Sequence, residues 1–327
     1  MAKAIAPSKI IIAGEHFVVE GEPAIAAAIN LYAEVVAEES YENAIRIESI
    51  DLDNRRHVIK STLNERIIDY TGKEKTKKML RPILRVARKM MDFVNANTGM
   101  EIYIESKIPP SAGLGSSAAV SVATAAAVMK ALGFEINKEL VWKAAFEAER
   151  IVHKNPSGID ITISTFGGMI LYKKGEKPML LKKSDKAIFL LAYTGKRMPT
   201  GKIVEEVLNL KRTYPEIINP LYTSAGALTL KLVDYFKNED LLNAGRLINI
   251  NHELLSALGL STFKIDLLVN IARKKGAYGA KLTGAGKGGV MYALVDKYCL
   301  EPVKEAMSKK AKMIFETSIV EEGVKAF

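Results

Sequence analysis

Cysteine is almost absent from the sequence. The 327 residues include one cysteine, Cys299, so no disulfide can form within the chain. The four histidines (His16, His57, His153 and His252) are widely scattered, and no Cys/His spacing is typical of a zinc site. Both absences exclude a disulfide scaffold and a Cys/His zinc centre, and Cys299 is interpreted as a small buried hydrophobic residue.

Long apolar runs are also missing. No run approaches the roughly 20 apolar residues that a membrane-spanning helix requires. The N-terminal segment MAKAIAPSKIII lacks the layout of a signal peptide and has the pattern of a first strand. The sequence therefore predicts a cytoplasmic protein with no membrane partner.

Aromatic residues make up only 7% of the chain, and they do not interleave with its basic runs. The formal net charge of +10 would suit either a nucleic-acid ligand or an anionic substrate. Most lysines, however, lie in segments of mixed sign such as EPVKEAMSKKAK, which are typical of solvated surfaces. We therefore predict no nucleic-acid partner.

What the chain does contain is strands and helices in alternating groups. Strand patterning recurs at residues 3–13, 31–50, 100–106, 187–194, 277–283 and 289–295. Helical patterning lies at 77–94, in the alanine-rich segment ending at Gly133, and at several places between about 200 and 275. This order predicts an α+β fold with two domains, residues 1–180 and 181–327, divided near a lysine-rich segment.

The strongest chemical signal is PPSAGLGSSAAVSVA, at residues 109–123. Gly113 and Gly115 allow the backbone to approach a ligand closely, and Ser116 and Ser117 then open a helix. The first turn of a helix has unpaired N–H groups and a partial positive charge, which suit phosphates. A flexible loop with a serine cap is the alternative, but the combination of features favours a phosphate-binding loop.

A second group of residues lies in EAERIVHKNPSGID. Glu149 is near the end of a helix, and Asp160 follows it after the loop NPSG. Two such carboxylates can divide the work of holding Mg²⁺, which prefers oxygen ligands, and of orienting or deprotonating a hydroxyl. Taken alone, Glu149 would be a surface charge and Asp160 a turn residue; the phosphate loop favours a functional role for both.

The first strand and its end supply a third group, in the segment KIIIAGEH. Lys9 lies in an otherwise apolar strand, where an unpaired charge would be costly, so it needs a partner such as Asp160. Glu15 and His16 follow at the strand end, where ligand-binding groups tend to lie. Taken alone, His16 would be interpreted as a hydrogen-bonded structural histidine.

The glycine-rich stretch LTGAGKGGVMYAL, residues 282–294, resembles two nucleotide-binding motifs. A P-loop ending at Lys287 would need glycine at 281 and serine or threonine at 288, where the chain has Lys281 and Gly288. A Rossmann fingerprint should open a helix, but VMYALVD has strand patterning. The stretch is therefore predicted to be a turn between two strands.

Together, the segments KIIIAGEH, PPSAGLGSSAA, ERIVHKNPSGID and GAKLTGAGKGG resemble the motifs of the GHMP kinases, most closely those of archaeal-type mevalonate kinases. The resemblance covers most of the chain and is more specific for the superfamily than for the substrate. It implies an N-terminal domain similar to ribosomal protein S5 domain 2 and a ferredoxin-like C-terminal domain. It also implies a kinase with Mg²⁺ as cofactor that binds ATP and mevalonate between these domains, and homodimers are common in such enzymes.

The resemblance also implies a role for individual residues. Asp160 matches the catalytic base, Lys9 the lysine that contacts it, and Ser117 and Glu149 the Mg²⁺ ligands. The residues that match the ATP-binding loop are Pro110, Ser111, Ala112, Gly113, Leu114, Gly115, Ser116, Ser117 and Ala118. Those that match positions near the substrate are Glu15, His16, Asp160, Thr194, Gly284 and Ala285.

Three positions depart from the commonest mevalonate kinase pattern. Ser8 stands where glycine is usual, and Ile161 stands where asparagine is common. Lys287 replaces a glycine of the motif in GAKLTGAGKGG. For Lys287, two interpretations remain open: it adds positive charge near the cleft, or it points to solvent.

Two other functions remain as alternatives. A phosphomevalonate kinase would share the phosphate loop, although His16 and NPSGID fit a mevalonate kinase better. A non-catalytic ligand sensor on the same fold is a more remote alternative, and the intact motif residues disfavour it.

Overall fold

Two β-sheets, each covered by helices, form the part of the chain that the computed structural model describes. That part comprises residues 1–52, 54–72, 74–110, 112–152, 158–196 and 200–327. Most of the first sheet comes from the first half of the chain, and the second sheet comes from the second half.

The first sheet contains nine strands in the described residues. These strands are β1 (Ala2–Ala13), β2 (Ala24–Ser40), β3 (Ala44–Ile50), β4 (Arg56–Thr62), β5 (Ile67–Tyr70), β6 (Gly99–Ser106), β7 (Met169–Tyr172), β8 (Met179–Leu181) and β13 (Lys325–Ala326). Their order is β13-β1-β2-β6-β3-β4-β5, with β7 paired to β2 and β8 paired to β7. The β3–β6 pair is parallel, and the neighbouring pairs are antiparallel.

Strand β2 is the central strand of this sheet, because it is long enough to pair with two strands along one edge. Its first half pairs with β7 and its second half with β6, while β1 pairs along most of its length. The β1–β2 register shifts between Pro7 and Ser8 and again between Ile11 and Ala13. Such irregularities bend a strand and re-aim its side chains, and they flank Lys9.

The second sheet has four antiparallel strands within the described ranges. They are β9 (Ile188–Tyr193), β10 (Gly279–Thr283), β11 (Val290–Val295) and β12 (Met313–Thr317), in the order β10-β11-β9-β12. Strands β10 and β11 are buried along their whole length, so side chains on both faces are shielded from water. The predicted turn of residues 284–289 connects these two strands.

The helices pack on both sheets. They are α1 (Glu74–Phe93), α2 (Ser116–Ala131), α3 (Lys138–Val152), α4 (Ile159–Phe166), α5 (Thr200–Thr213), α6 (Pro215–Lys237), α7 (Leu241–Ala257), α8 (Phe263–Lys274) and α9 (Leu300–Ser308). The alanine-rich helix α2 lies closest to the first sheet, because small side chains let it pack tightly against β1 and β2. It opens at Ser116, as predicted, and Gly133 follows its end with a positive φ of 82°.

The end of the chain returns to the first sheet. Strand β13 pairs with β1, and an isolated bridge joins Ile319 to Ile29. The first eight strands end at Leu181, beside the predicted boundary between residues 180 and 181. That boundary stays a prediction, and the returning strand β13 connects the two halves.

Within the described residues, no helix is long and apolar enough to cross a membrane.

Gly245 gives a test of the packing between α7 and β10. A Cβ at this position would lie 2.2 Å from the carbonyl oxygen of Tyr278, and backbone cannot move aside easily. We expect Gly245→Ala to lower the free energy of unfolding by about 1–3 kcal/mol, the usual cost of overpacking. Denaturant unfolding measures the change.

The matched control is Gly201→Ala in α5, where an added Cβ meets nothing within 4 Å. This variant should be as stable as the wild type or more so, because alanine favours helix. Equal effects of the two substitutions would contradict the packing argument.

Candidate active site

Lys9 is the buried charge around which the site is arranged. It lies in β1 with 5% of its surface exposed, and its Nζ atom is 3.1 Å from Oδ1 of Asp160. Asp160 is the second residue of α4, and its side chain is one-third exposed. The partner expected for Lys9 is therefore the one observed, and Asp160 offers its carboxylate to both Lys9 and the solvent side.

The loop before α2 is fastened to β1 beside this pair. The carbonyl oxygen of Leu114 accepts hydrogen bonds from the Lys9 N–H (3.1 Å) and from the Ser8 hydroxyl (2.7 Å). Ser8 is completely buried. The serine that departs from the family pattern thus adds a hydrogen bond that glycine could not make.

Gly115 caps α2 and leaves the space that the Lys9–Asp160 pair occupies. Its φ is 71°, in the left-handed region that favours glycine. A Cβ on Gly115 would lie 2.9 Å from Cγ of Lys9 and 3.5 Å from Oδ2 of Asp160. The glycine therefore lets the N-terminus of α2, with its free N–H groups, approach the two charged side chains directly.

A pocket of about 70 Å³ opens at this point. It is lined by Pro82, Gly115, Ser117, Ala118, Ser121, Ala148, Glu149, Asp160 and Ile161. The pocket brings together two hydroxyls, of Ser117 and Ser121, and two carboxylates from later in the chain. It has room for a small cation with water, because one water needs about 10–15 Å³ by the same measure.

Glu149 contributes a carboxylate with one buried oxygen to this pocket. Its Oε2 atom is buried and has no hydrogen-bond partner among the described residues. Burial, and secondarily the nearby Asp160 charge, raise the pKa of Glu149 to about 7, although Lys9 opposes the shift. A bound cation would complete the bonding of Glu149 and favour its ionised form.

The glycine-rich turn between β10 and β11 packs directly on the phosphate loop. A Cβ on Gly284 would lie 2.8 Å from Cα of Gly113, and one on Gly289 would lie 3.0 Å from the carbonyl oxygen of Ala112. Thr194, at the end of β9, donates its hydroxyl hydrogen to the Gly289 carbonyl (2.9 Å). The turn between β10 and β11 therefore packs against the backbone of the phosphate loop and supports it.

The end of β1 is joined to the same turn by buried polar side chains. Nε2 of His16 lies 2.8 Å from the Ala285 carbonyl oxygen, so this nitrogen carries the proton. Burial lowers the pKa of His16, which keeps the ring neutral. Its Nδ1 atom has no partner within the described residues. The hydrogen-bonded interpretation of His16 is the one observed.

Glu15 forms a buried ion pair with Lys281 of β10. Both side chains are almost completely inaccessible, at 1% and 0% exposure. Burial raises the pKa of Glu15 and lowers that of Lys281, and the contact between them opposes both shifts. Sequence reasoning missed Lys281, although a lysine at the centre of a strand otherwise apolar was the same signal that identified Lys9.

Lys287 does not simply point to solvent. Its backbone adopts a positive φ of 55°, its N–H donates to the Leu260 carbonyl (2.6 Å), and its ammonium pairs with Glu206 of α5. Because Glu206 neutralises this charge locally, the lysine connects the glycine-rich turn to α5.

The sequence was compared with known protein families. The profile of the GHMP kinases N terminal domain matches residues 81–168, and that of the GHMP kinases C terminal domain matches residues 232–312. Mevalonate kinase from Pyrococcus abyssi is 41% identical over 296 residues, covering 89% of this chain and 88% of that protein.

The fold was compared with solved structures. Methanococcus jannaschii mevalonate kinase superposes with a TM-score of 0.84 and 28% identity, covering 97% of this chain and 98% of that one. Mevalonate kinase of L. major, solved with R-mevalonate, gives a TM-score of 0.81 and 25% identity, covering 98% and 96%.

The chain belongs to the GHMP kinase family. The predicted family and the predicted two-domain α+β fold of these kinases are confirmed. As a GHMP kinase it uses ATP as co-substrate.

The predicted site residues of this GHMP kinase fall into two adjoining groups. Lys9, Gly115, Ser117, Glu149 and Asp160 meet at the pocket. A second group surrounds the glycine-rich turn and consists of Glu15, His16, Thr194, Gly284 and Ala285. Their catalytic and binding roles stay predictions.

The remaining predicted residues belong to the phosphate loop. Pro110, Ala112, Gly113, Leu114, Ser116 and Ala118 lie in the described segments that precede and open α2. Ser111, also predicted to bind phosphate, lies outside the described residues, as do residues 155–157 of the NPSG loop.

Gly115→Ala tests whether the space at the helix N-terminus is required. The new methyl group would lie too close to Cγ of Lys9 and displace it from Asp160, so we expect kcat to fall by roughly 10²-fold, as for a displacement of about 1 Å. Steady-state kinetics on the purified variant measures the change.

The control for backbone strain is Gly133→Ala at the other end of α2. Gly133 has a similar φ of 82°, but an added Cβ meets nothing within 4 Å. This variant should lose stability yet keep its kcat. A comparable loss of kcat in both variants would show that backbone strain, and not contact with Lys9, causes the effect.

Glu149→Gln tests the buried carboxyl in metal-free solution. The pKa of Glu149 is about 7 in the folded protein against an ordinary value of 4.5, so its ionisation opposes folding. This cost is absent below pH 4.5, grows between pH 4.5 and 7, and is constant above pH 7. The substitution should therefore raise the Tm progressively across that window.

Thermal unfolding of Glu149→Gln and wild type at several pH values measures the effect. Glu147→Gln serves as the control, because Glu147 is on the same helix but its side chain is 38% exposed and pairs with Arg150. A Tm difference for Glu149→Gln that does not vary with pH would contradict the argument.

Proposed function

We propose that this GHMP kinase transfers the γ-phosphoryl group of ATP to the primary hydroxyl of (R)-mevalonate, giving 5-phosphomevalonate and ADP. The observation that carries the proposal is the Lys9–Asp160 pair, at 3.1 Å, set against the N-terminus of α2 at Gly115. A carboxylate that can orient a hydroxyl thus lies beside backbone that can bind phosphate.

The phosphate groups of ATP bind at the loop before α2. The N–H groups of the first turn of α2 have no carbonyl partners within the helix and lie at its positive end. Glycines at 113 and 115 expose this backbone without side chains. The loop therefore stabilises negative charge on the phosphates where the phosphoryl group is transferred.

Ser117 and Glu149 would hold Mg²⁺. The residues present fit this ion, because the pocket joins a hydroxyl to a carboxylate with an unpartnered oxygen, and Mg²⁺ is commonly bound by one or two carboxylates plus phosphate oxygens. When bound, the ion supplies positive charge that neutralises the phosphates during transfer.

Asp160 orients the acceptor hydroxyl and takes its proton. Lys9 holds one carboxylate oxygen, which leaves the other available to the substrate. Lys9 also places a positive charge where the attacking oxygen becomes negative, which lowers the barrier. Phosphoryl transfer is chiefly a matter of positioning and charge stabilisation, which these two groups supply together with the phosphate loop and the residues that would hold Mg²⁺.

The choice of mevalonate rests on the relatives. Several curated proteins that match most of the chain are mevalonate kinases, and one structure of similar fold was solved with R-mevalonate. We place the acceptor between Asp160 and the group formed by Glu15, His16, Thr194, Gly284 and Ala285, which adjoins the pocket.

A coupled ADP-release assay on a panel of acceptors tests the proposal. We expect turnover with ATP, Mg²⁺ and mevalonate, and little with phosphomevalonate. Asp160→Asn should lower kcat by at least roughly 10²-fold, the usual size of general-base effects. Turnover of phosphomevalonate alone would overturn the choice of substrate, and an Asp160→Asn variant of wild-type activity would remove Asp160 from the mechanism.

A further inference from the structure

The helix that carries Asp160 is too short to hold its own orientation. Helix α4 has eight residues, and helices of this length are not stable in isolation. Asp160 lies in its first turn, which is closed by the hydrogen bond from the Thr162 N–H to the Gly158 carbonyl (2.9 Å). Whatever fixes that turn fixes the carboxylate.

The turn is held by an aromatic pair on α3. The indole N–H of Trp142 donates to the Thr162 hydroxyl oxygen (3.0 Å), and the Trp142 ring stacks on Phe146 with a centroid distance of 4.7 Å. A Cβ on Gly158, which caps α4, would lie 3.2 Å from Cε2 of Phe146 and 3.5 Å from Cζ2 of Trp142. The two rings therefore touch the start of α4 as well as its first turn.

The same face of α3 carries Glu149. Positions 142, 146 and 149 are separated by four and three residues, which places them on one side of a helix. Helix α3 thus presents the Glu149 carboxylate to the pocket. One to two turns earlier, the same helix contacts α4, which presents the Asp160 carboxylate. Neither Trp142 nor Phe146 is among the residues that line the pocket.

We propose that Trp142 is a positioning residue, which acts through its hydrogen bond to Thr162 to set the place of Asp160 relative to Glu149. The proposal rests on the function proposed above for the site. Trp142 does not touch reacting atoms. It fixes the turn in which Asp160 lies, so that the carboxylate meets Lys9 and the acceptor hydroxyl in the productive geometry.

Removing either half of the hydrogen bond tests this role. Trp142→Phe keeps an aromatic ring over Phe146 but loses the donor, and Thr162→Val keeps the branched shape but loses the acceptor. We expect each variant to lower kcat about tenfold. This is less than the roughly 10²-fold loss from a 1 Å displacement, because the rest of α4 still positions Asp160 in part. The KM for mevalonate should stay within about twofold. Loss of folded protein would also lower the apparent kcat without changing the KM, so kcat is calculated per folded protein, with the folded fraction measured by circular dichroism.

Two further variants separate positioning from simple stability. Thr162→Ser retains the hydroxyl and should restore kcat to within about twofold of wild type. The double variant Trp142→Phe/Thr162→Val should be no slower than either single variant, because both remove the same bond. A serine variant as slow as the valine variant, or effects that multiply in the double variant, would overturn the proposal.

Tyr278→Phe is the control for loss of an ordinary hydrogen bond. It removes a hydroxyl that donates to Asp296 at 2.8 Å, in the second sheet and away from the pocket. Its kcat should be unchanged. If Trp142→Phe and Thr162→Val also keep wild-type kcat while circular dichroism shows them folded, Trp142 has no positioning role.

A binding measurement distinguishes failure of this proposal from failure of the proposed function. Calorimetric titration with ADP, with and without Mg²⁺, needs no acceptor substrate. We expect the Mg²⁺-dependent gain in ADP affinity to be the same in Thr162→Val, Thr162→Ser and wild type, because Ser117 and Glu149, which would hold the ion, do not depend on this bond. Loss of the gain in Thr162→Val would show that the whole site is disrupted and would overturn the specific positioning role, whatever acceptor the wild type phosphorylates.

Trp142 also reports on its own bond, because it is the only tryptophan of the chain. The emission maximum of the protein should shift in Thr162→Val, where the indole loses its acceptor, and stay in place in Thr162→Ser. Identical spectra for all three proteins would show that the bond does not form in solution and would overturn the proposal.

Discussion

The site depends on one requirement, that the ammonium of Lys9 inside the first sheet have a negative partner. An isolated charge there would be strongly unfavourable, so α4 must bring Asp160 to within 3.1 Å of it. Gly115 is needed because any side chain would enter the same space. The proposed catalytic geometry is thus also the geometry that makes burial of Lys9 tolerable.

At the phosphate loop, the two halves of the molecule meet backbone to backbone. Gly113 and Gly284 approach so closely that a methyl group on either would touch the other. The polar contacts of His16 and of the Glu15–Lys281 pair lie around this meeting point and lock it in one register. A phosphate loop backed by a rigid sheet loses little freedom when it binds, which favours transition-state stabilisation over mere binding.

The local part of this arrangement and the pairing of Lys9 with Asp160 were predictable from the sequence, and its other long-range contacts were not. Helix α2 and its glycine cap follow from neighbouring residues, and Lys9 reveals itself as a charge in an apolar strand. The partnerships of Glu15 with Lys281 and of Trp142 with Thr162 depend on how two sheets and two helices are placed in space. Ser8 and Lys287 depart from the family pattern, and only their hydrogen bonds and ion pair explain how they are accommodated.

The returning end of the chain has a consequence for biosynthesis. The Val324 N–H donates to the Thr165 carbonyl (3.2 Å), and Gly323 packs against the backbone at the end of α4. Strand β13 then completes the sheet beside β1. Neither the first sheet nor the far end of the helix that carries Asp160 is complete until residues 323–326 have been synthesised. A nascent chain would therefore expose an unpaired edge of β1 for most of its synthesis, and the support of α4 from this segment would be added late.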